Sequence, residues 1–228
     1  MTHNRTSTNG DDFIAPVCRD EIELLYQDEH ILLINKPSGL LSLSGKNPAN
    51  LDSVHYRLVK DFPSVRMIHR LDLGTSGIMI LALSKTVNTH LCEQFTNRTV
   101  SKTYTALLDG QLGQEQGIID IPMIKDKENF PYQKVCYEKG KPSRSAYEVL
   151  EYLSESDTSR VKFTPITGRT HQLRVHSHEI GHSILGCDLY ASDTVGAKAD
   201  RLMLHATTLS FDHPASGERI NAECPCPF

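Results

Sequence analysis

The sequence predicts an α+β fold with a mixed, largely antiparallel central sheet and flanking helices. Short segments rich in β-branched, aromatic and aliphatic residues recur along the chain, and several of them form strand-turn-strand pairs. Only a few stretches carry apolar residues at helical spacing. Strands mixed with a few helices favour this fold class. No repeat and no linker interrupts residues 22–228, so we expect a single domain over residues 21–228.

The strand predictions depend on apolar runs bounded by turns. Residues 24–26 and 31–34 predict two strands joined by a polar turn. Residues 78–83 are too uniformly apolar to alternate, which predicts a central strand buried on both faces. Residues 147–153 and 160–164 predict an antiparallel pair around a polar tip. The remaining predicted strands are 103–108, 202–205 with 209–211 as one strand region, and 218–222 at an edge.

Three helices are predicted from apolar spacing and capping residues. The first covers residues 51–62 and has Asn50 as its N-cap. Ser84 is expected to cap the second helix, which places apolar residues on one side at four-residue spacing. Thr170 is expected to cap the third helix, which should end just before Gly181.

Two stretches are expected to have little regular structure. Residues 1–20 are polar, acidic and unpatterned, which predicts a flexible N-terminal arm. Residues 110–144 are rich in Gly, Pro, Lys and Gln, and a long irregular stretch of this kind is often a binding loop.

The charge distribution favours local rather than general attraction of nucleic acid. The net charge is −4, with a balance of −5 in residues 1–30 and +1 in the remainder. This argues against an indiscriminate nucleic-acid binder. Residues 158–178 contain no acid but four Arg or Lys residues and three histidines. Such a local basic surface attracts phosphates, although an ordinary solvated charged face has the same composition.

Composition also indicates the compartment. No apolar run approaches the roughly 20 residues that a membrane span needs, and the N-terminus lacks the apolar core of a signal peptide. We therefore expect a cytoplasmic protein with no membrane contact. The six cysteines are scattered, which predicts reduced thiols and no structural zinc.

One segment, His69–Gly77, contains several residues of the types that enzymes use in catalysis. It places Asp72 two residues after Arg70, in a loop of small and hydroxyl residues directly before the buried strand. An ionised carboxylate partly shielded from water needs a cation or several hydrogen-bond donors nearby. The structural alternative is a turn in which Asp72 and Ser76 only satisfy backbone groups.

Together with three other motifs, this segment resembles the signature of the RluA family of RNA pseudouridine synthases. The resemblance covers roughly residues 22–228 and implies the pseudouridine synthase fold, with a central cleft and here without an S4 domain. The short chain and the run 134–142 are most similar to the branch of the family that modifies both rRNA and tRNA. In family order, the motifs are Asn35–Leu40, His69–Gly77, Lys102–Tyr104 and Ile166–His176, followed by segments 182–186 and 204–206.

The resemblance implies catalysis without a metal or cofactor. Isomerising uridine breaks the bond from ribose C1′ to N1, turns the uracil and joins C1′ to C5. By resemblance, Asp72 either attacks the sugar carbon or removes a sugar proton. Arg174 is implied as the cation that keeps Asp72 ionised. Tyr104 is implied to stack on the uracil and to relay the C5 proton.

The resemblance also implies RNA contacts. Arg70 is expected to enter the space left by the extruded nucleotide, and extrusion costs less in a loop than in a stem. Lys36 and Arg169 are expected to contact phosphates or to shape the cleft, whereas His69 is expected to be structural. We expect an RNA partner, specifically a hairpin loop of 23S rRNA and a tRNA anticodon loop, with no obligatory protein partner and a monomeric enzyme.

Two other hypotheses remain open at this stage. The first is a catalytically silent RNA-binding module. The second is a metal hydrolase that uses histidines from residues 171–182. Against the hydrolase, His171 and His176 would lie on different sides of a helix, and the sequence has no His-Glu-x-x-His motif.

Overall fold

The computed structural model describes residues 13–228, so the first twelve positions of the predicted acidic arm lie outside the described residues. The strands are β1 (Glu23–Gln27), β2 (Ile31–Lys36), β3 (Arg66–Met67), β4 (Ser76–Ala82), β5 (Ser101–Asp109), β6 (Gln116–Asp120), β7 (Met123–Lys125), β8 (Gln133–Val135), β9 (Arg144–Leu153), β10 (Thr158–Pro165), β11 (Leu204–Asp212) and β12 (Arg219–Glu223). The helices are α1 (Val54–Leu58), α2 (Lys85–Asn97), α3 (Gln172–Glu179) and α4 (Asp193–Gly196).

Ten of these strands form one sheet, in the order β1-β2-β4-β11-β5-β10-β9-β6, with β3 beside β4 and β12 beside β11. Its pairings are antiparallel except for the parallel contact between β4 and β11. Strands β7 and β8 form a separate antiparallel pair. The predicted α+β class with a mixed, largely antiparallel sheet is therefore confirmed.

The parallel contact between β4 and β11 is the narrowest connection in the sheet. It consists of two residue pairs, Ser76 with His205 and Gly77 with Ala206. Beyond it, the same edge of β11 pairs with β12, and the same edge of β4 pairs with β3. The two halves of the sheet are therefore joined by two residue pairs, which we call the β4–β11 junction.

The sheet packs against two hydrophobic cores, and β11 contributes residues to both. One core packs β2 and β4 against α2, and the other packs β5 and β10 against residues of α3 and of the segment that precedes β11. Tyr104 on β5 packs against both cores. The junction and Tyr104 therefore lie where the two halves of the domain meet.

Several predicted elements appear as expected. Every residue of β4 is buried, and β4 lies between β2 and β11, as its uniformly apolar sequence predicts. The Oγ atom of Ser84 accepts a hydrogen bond from the N–H of Val87 and caps α2. Strands β9 and β10 form the predicted antiparallel pair.

No helix within residues 13–228 is both long and apolar enough to cross a membrane.

The prediction for the first helix is wrong in its length and its cap. Helix α1 covers only Val54–Leu58, and Ser53 caps it by accepting from the N–H of Tyr56. Asn50 instead lies in a 3-10 turn, where its amide bonds to the backbone N–H of Ala15 at 2.7 Å and to the backbone carbonyl of Phe13 at 2.6 Å. This long-range contact uses the side chain that the sequence assigned to capping.

Two further predictions need correction. Thr170 does not cap α3, because the N-cap position is His171, in the left-handed region with φ 56°. Gly181 does end this helix region with a positive φ, as predicted. The segment 110–144 is more regular than expected, since it contains three short strands. These strands pair with distant or weakly apolar partners, so apolar runs within the segment did not reveal them.

The described part of the predicted arm contacts the domain. Besides the Asn50 contacts, the guanidinium of Arg57 donates to the backbone carbonyls of Cys18 and Asp20 at 2.6 Å each. The division into an arm and one domain stays a prediction.

Lys36, at the end of β2, anchors the loop of the first motif to the loop that contains Asp72. Its side chain is fully buried. The Nζ atom donates to the carbonyls of Pro37 at 2.8 Å, Leu40 at 2.7 Å and Leu73 at 3.2 Å. Burial lowers the pKa of Lys36 to about 7. The two loops therefore share one buried amino group.

We predict that Gly77→Ala strongly destabilises the protein. Gly77 has φ 111°, and a Cβ there would lie 2.6 Å from the backbone N of Ala206, inside the junction. Backbone strain and this overlap should together lower the free energy of unfolding by at least about 3 kcal/mol, measured by urea denaturation. Gly113→Ala is the control, because nothing lies within 4 Å of that Cβ. A loss below about 1 kcal/mol at position 77 would contradict the prediction.

We predict that Lys36 makes stability rise with pH. Its folded pKa of about 7 lies below its ordinary value of 10.5, so in this window the unfolded chain binds more protons, and raising the pH favours the folded state. Relative to Lys36→Met, the wild type should gain about 2 kcal/mol in free energy of unfolding between pH 7.5 and 9.5, measured by urea denaturation. A constant difference would show that the three carbonyls keep the ammonium protonated.

Candidate active site

His69 fixes the start of the loop that contains Asp72. Its Nε2 atom accepts a hydrogen bond from the N–H of Ile80 at 3.1 Å, and its ring stacks on Phe95 at 4.9 Å between centroids. Burial, followed by the positive charge of Lys102, lowers the pKa of His69 to about 3. The imidazole is therefore neutral and carries its proton on Nδ1. This geometry supports the structural role expected for His69.

The residues on both sides of Asp72 are bound to the loop after β2. The backbone of Leu71 donates to and accepts from the Oγ of Ser42, at 3.1 Å and 2.7 Å. The carbonyl of Leu73 accepts from the N–H of Gly39 at 2.8 Å, in addition to the amino group of Lys36. The carbonyl of Asp72 accepts from the N–H of Thr75. The backbone at Asp72 is therefore held rigidly, and these contacts do not use its side chain.

The Asp72 carboxylate itself makes no hydrogen bond within the described residues. Its side chain is 26% exposed, and the nearest group that can carry positive charge is His171, whose Nε2 lies 4.0 Å from Oδ1. The turn alternative required this carboxylate to satisfy backbone groups, and within residues 13–228 it bonds to none. An acid on a rigid loop that lacks a structural hydrogen bond is available for chemistry.

Tyr104 is close enough to Asp72 to be affected by its charge. Burial, followed by the negative charge of Asp72, raises the pKa of the Tyr104 phenol above its ordinary value. The phenol is therefore protonated at neutral pH. In the part of the chain that the structure describes, its hydroxyl has no hydrogen-bond partner, so it can donate to a bound nucleotide.

Arg174 on α3 makes its direct ion pair with Asp188 rather than with Asp72. The guanidinium is buried, its Nη2 donates to Asp188, and it lies 5.4 Å from the centroid of the Tyr190 ring. Burial opposes its charge, but the Cys187 sulfur and the carboxylates of Asp188 and Asp72 raise the pKa of Arg174. Asp72 therefore lies within the field of Arg174, although the two side chains are not in contact.

The three residues expected to bind RNA have different environments. Arg70 is exposed and makes no hydrogen bond or ion pair with residues 13–228, so it is available to RNA. Arg169 is half-buried, and its Nε donates to the carbonyl of Pro142 at 3.2 Å. Lys36 is fully buried and its three donors are used, so phosphate does not reach it. Of the two roles given for Lys36, shaping the cleft is the one compatible with this geometry.

The four clustered histidines do not converge on a common point. Each one contacts a different partner, and no group of three potential metal ligands occurs within residues 13–228. The geometry therefore gives the metal hydrolase hypothesis no support. The ring partners are the Tyr190 hydroxyl for His171, the Ser145 hydroxyl and the Ile121 carbonyl for His176, the Ser183 hydroxyl for His178 and the Asp109 carbonyl for His182.

Three residues of this site were not assigned to it from the sequence, although the hydrolase hypothesis considered His171 as a metal ligand. They are His171, Asp188 and Tyr190, which contact Asp72 or Arg174. Asp188 and Tyr190 follow segment 182–186 and lie outside the family motifs, and no spacing pattern relates them to Asp72. His171 lies in the same motif as Arg174, and this shared motif is the sequence signal that could have placed His171 at the site.

A family model and close relatives match this chain. The model described as RNA pseudouridylate synthase matches residues 30–179. The protein from Yersinia pestis called dual-specificity RNA pseudouridine synthase RluA is 48% identical over 205 residues, which cover 90% of this chain and 99% of that protein. The proteins of the same name from Escherichia coli K12 and Haemophilus ducreyi are 47% and 50% identical, over 90% and 86% of this chain and 93% and 90% of theirs.

Solved structures agree with these matches. The structure titled human RNA pseudouridylate synthase domain containing 1 has a TM-score of 0.77 at 30% identity, covering 93% of this chain and 86% of that one. Human RNA pseudouridylate synthase domain containing 4 has a TM-score of 0.71 at 26% identity, covering 90% and 88%. The chain therefore belongs to the RNA pseudouridylate synthase family, and the prediction of an RNA pseudouridine synthase from its motifs is confirmed.

Proposed function

We propose that this enzyme isomerises uridines in loops of both 23S rRNA and tRNA, with Asp72 as the carboxylate that acts on the ribose. The observation that carries the proposal is the Asp72 carboxylate itself. It is held on a rigid loop, makes no hydrogen bond with the described residues, and is close enough to Tyr104 and Arg174 for its charge to affect both. The printed dual-specificity name of the bacterial relatives supports the two substrate classes.

The site supplies what the isomerisation requires. Asp72 attacks ribose C1′ or removes a sugar proton, and either route releases N1 of the uracil. The positive charge of Arg174, shared with Asp188, favours the ionised form of Asp72 when bound RNA excludes water. Because Asp188 remains largely exposed at 75%, it weakens this effect less than a buried acid would.

Tyr104 has a role that follows from its protonated state. The ring lies between the two cores and offers a face on which uracil can stack after it detaches. The phenol cannot act as a free base at neutral pH, because its pKa is raised. It can receive the C5 proton only while passing on its own proton, so it serves as a relay.

Arg70 supports access to a loop nucleotide. It precedes Asp72 by two residues, is exposed and has no partner within residues 13–228. A target base must leave its stack to reach Asp72, which costs a few kcal/mol. A guanidinium that occupies the vacated space recovers part of this cost by stacking and by contacting phosphates.

We predict that Asp72→Asn folds normally but loses at least about 1,000-fold in turnover, because an amide neither attacks C1′ nor accepts a sugar proton. Single-turnover formation of pseudouridine in a tRNA anticodon stem-loop measures the loss, and unfolding by urea measures folding. Asp61→Asn is the matched control, since Asp61 is an exposed acid near the loop. Substantial remaining activity would remove Asp72 from the central role.

We predict that deleting the gene removes pseudouridine from one loop position of 23S rRNA and from the anticodon loop of some tRNAs. Carbodiimide modification followed by reverse transcription maps these positions in RNA from the deletion strain. Complementation with the wild type should restore them, whereas Asp72→Asn should not. An unchanged pattern in either RNA would refute that half of the substrate assignment.

A further inference from the structure

His171 has an unusual backbone conformation, and its ring lies beside Asp72. Its φ of 56° lies in the left-handed region, which residues other than glycine rarely adopt. No side chain caps α3 at this position. The conformation instead places Nε2 4.0 Å from Oδ1 of Asp72, on a side chain that is 11% exposed. Strained backbone at such a place indicates a functional constraint.

The other ring nitrogen of His171 is held by Tyr190. The Tyr190 hydroxyl lies 2.8 Å from Nδ1 and also accepts a hydrogen bond from the backbone N–H of Gln133 at 2.9 Å. The Tyr190 ring contacts the Arg174 guanidinium as well. One tyrosine therefore connects strand β8, the Arg174 side chain and the histidine that faces Asp72.

The contacts favour one tautomer of the His171 imidazole. The Tyr190 oxygen accepts from the N–H of Gln133, and among the described residues Nδ1 of His171 is the acceptor within reach of its own O–H proton. Nε2 then carries the proton of the neutral ring and faces Asp72 with an N–H group. In the opposite tautomer, a bare Nε2 lone pair would face the carboxylate, and the Tyr190 proton would have no partner among the described residues.

Burial favours the neutral form of the His171 ring. Burial lowers the pKa of His171, and Arg174 acts in the same direction, whereas Asp72 and Asp188 oppose them. The result is a pKa below the ordinary histidine value. A neutral donor stabilises the carboxylate without pairing it with a full positive charge.

We propose that His171, oriented by Tyr190, is a positioning residue that donates its Nε2–H to Oδ1 of Asp72 when RNA closes the site. This inference depends on the proposed role of Asp72. The 4.0 Å separation must shorten to about 3 Å, and such tightening is usual when substrate binds. The hydrogen bond fixes one carboxylate oxygen, holds the ionised form in a water-excluded site, and leaves the other oxygen to react with the ribose.

The test compares His171→Leu with His171→Gln. Both replacement residues are unbranched at Cβ and meet the same backbone strain, but only Gln places a neutral N–H donor near the position of Nε2. For His171→Leu, we expect single-turnover pseudouridine formation about tenfold slower at unchanged affinity for RNA. The acid limb of its pH–rate profile should move up by about one pH unit, because a carboxylate that loses a donor is protonated more readily. His171→Gln should remain within about threefold of wild type, with its acid limb in place.

Tyr190→Phe provides a second measurement that keeps the ring and its contact with Arg174. Without the hydroxyl, His171 is no longer held in the productive tautomer, so the rate should fall and the acid limb should move in the same upward direction. Besides His171 and Tyr190 themselves, the described groups that interact electrostatically with Asp72 are Lys36, Tyr104 and Arg174, and these variants leave those three in place. Tyr26→Phe and His90→Gln are matched controls, because each makes the same kind of substitution at an exposed hydrogen-bonding residue outside the site.

The outcomes separate the inference from the proposed function. If His171→Leu and His171→Gln lose activity equally and neither acid limb moves, His171 has only a packing role and the inference is overturned. Unchanged rates in both His171→Leu and Tyr190→Phe would also overturn it. In either case Asp72→Asn remains the separate test of the carboxylate, and its inactivity would leave the proposed function standing.

Discussion

The short parallel contact between β4 and β11 is the constraint on which the rest of this structure depends. Two residue pairs join the halves of the sheet, and the Oγ of Ser76 lies 2.8 Å from Nδ1 of the buried His205 across this contact. The other ring nitrogen of His205 contacts the carbonyl of Cys224 at 3.1 Å. Only a residue without Cβ fits at position 77, because the backbone of Ala206 occupies that space. The junction is therefore both narrow and tightly packed.

This junction determines where the candidate active site lies. The loop with Asp72 leads directly into β4, so the carboxylate is placed at the boundary between the two cores. Tyr104 reaches the same boundary from β5, and Arg174 reaches it from α3 in the second half. Each half contributes groups that the other lacks. The acid comes from the first half, whereas the arginine, the histidine and both tyrosines come from the second.

Two buried basic side chains lie near Asp72 without forming an ion pair with it. Lys36 and Arg174 are buried basic groups near Asp72, but each is bound to other acceptors, the first to three carbonyls and the second to Asp188. Neither forms a direct ion pair with Asp72. The absence of direct contact leaves the Asp72 oxygens accessible to a ribose. An acid in a tight ion pair would be ionised but less reactive.

The sequence by itself determined the fold class, the buried strand β4, the capped helix α2 and the choice of Asp72 as the candidate reacting group. These features are local: an uninterrupted apolar run, a serine before a helical pattern and a nine-residue motif each carry their information within a few positions. The family resemblance gave Asp72 its expected reacting role and extended the candidate site to Tyr104 and Arg174, which are far from Asp72 in sequence.

Only the tertiary structure decided the contacts between distant segments. Asn50 is occupied by residues 13–15, so Ser53 caps α1, and Lys36 is buried rather than available to phosphate. His171 takes the place expected for Thr170, and its ring lies between Tyr190 and Asp72. The physical reason is the same each time. A side chain satisfies its hydrogen bonds with whichever group the folded chain brings near, and that group can lie anywhere in the sequence.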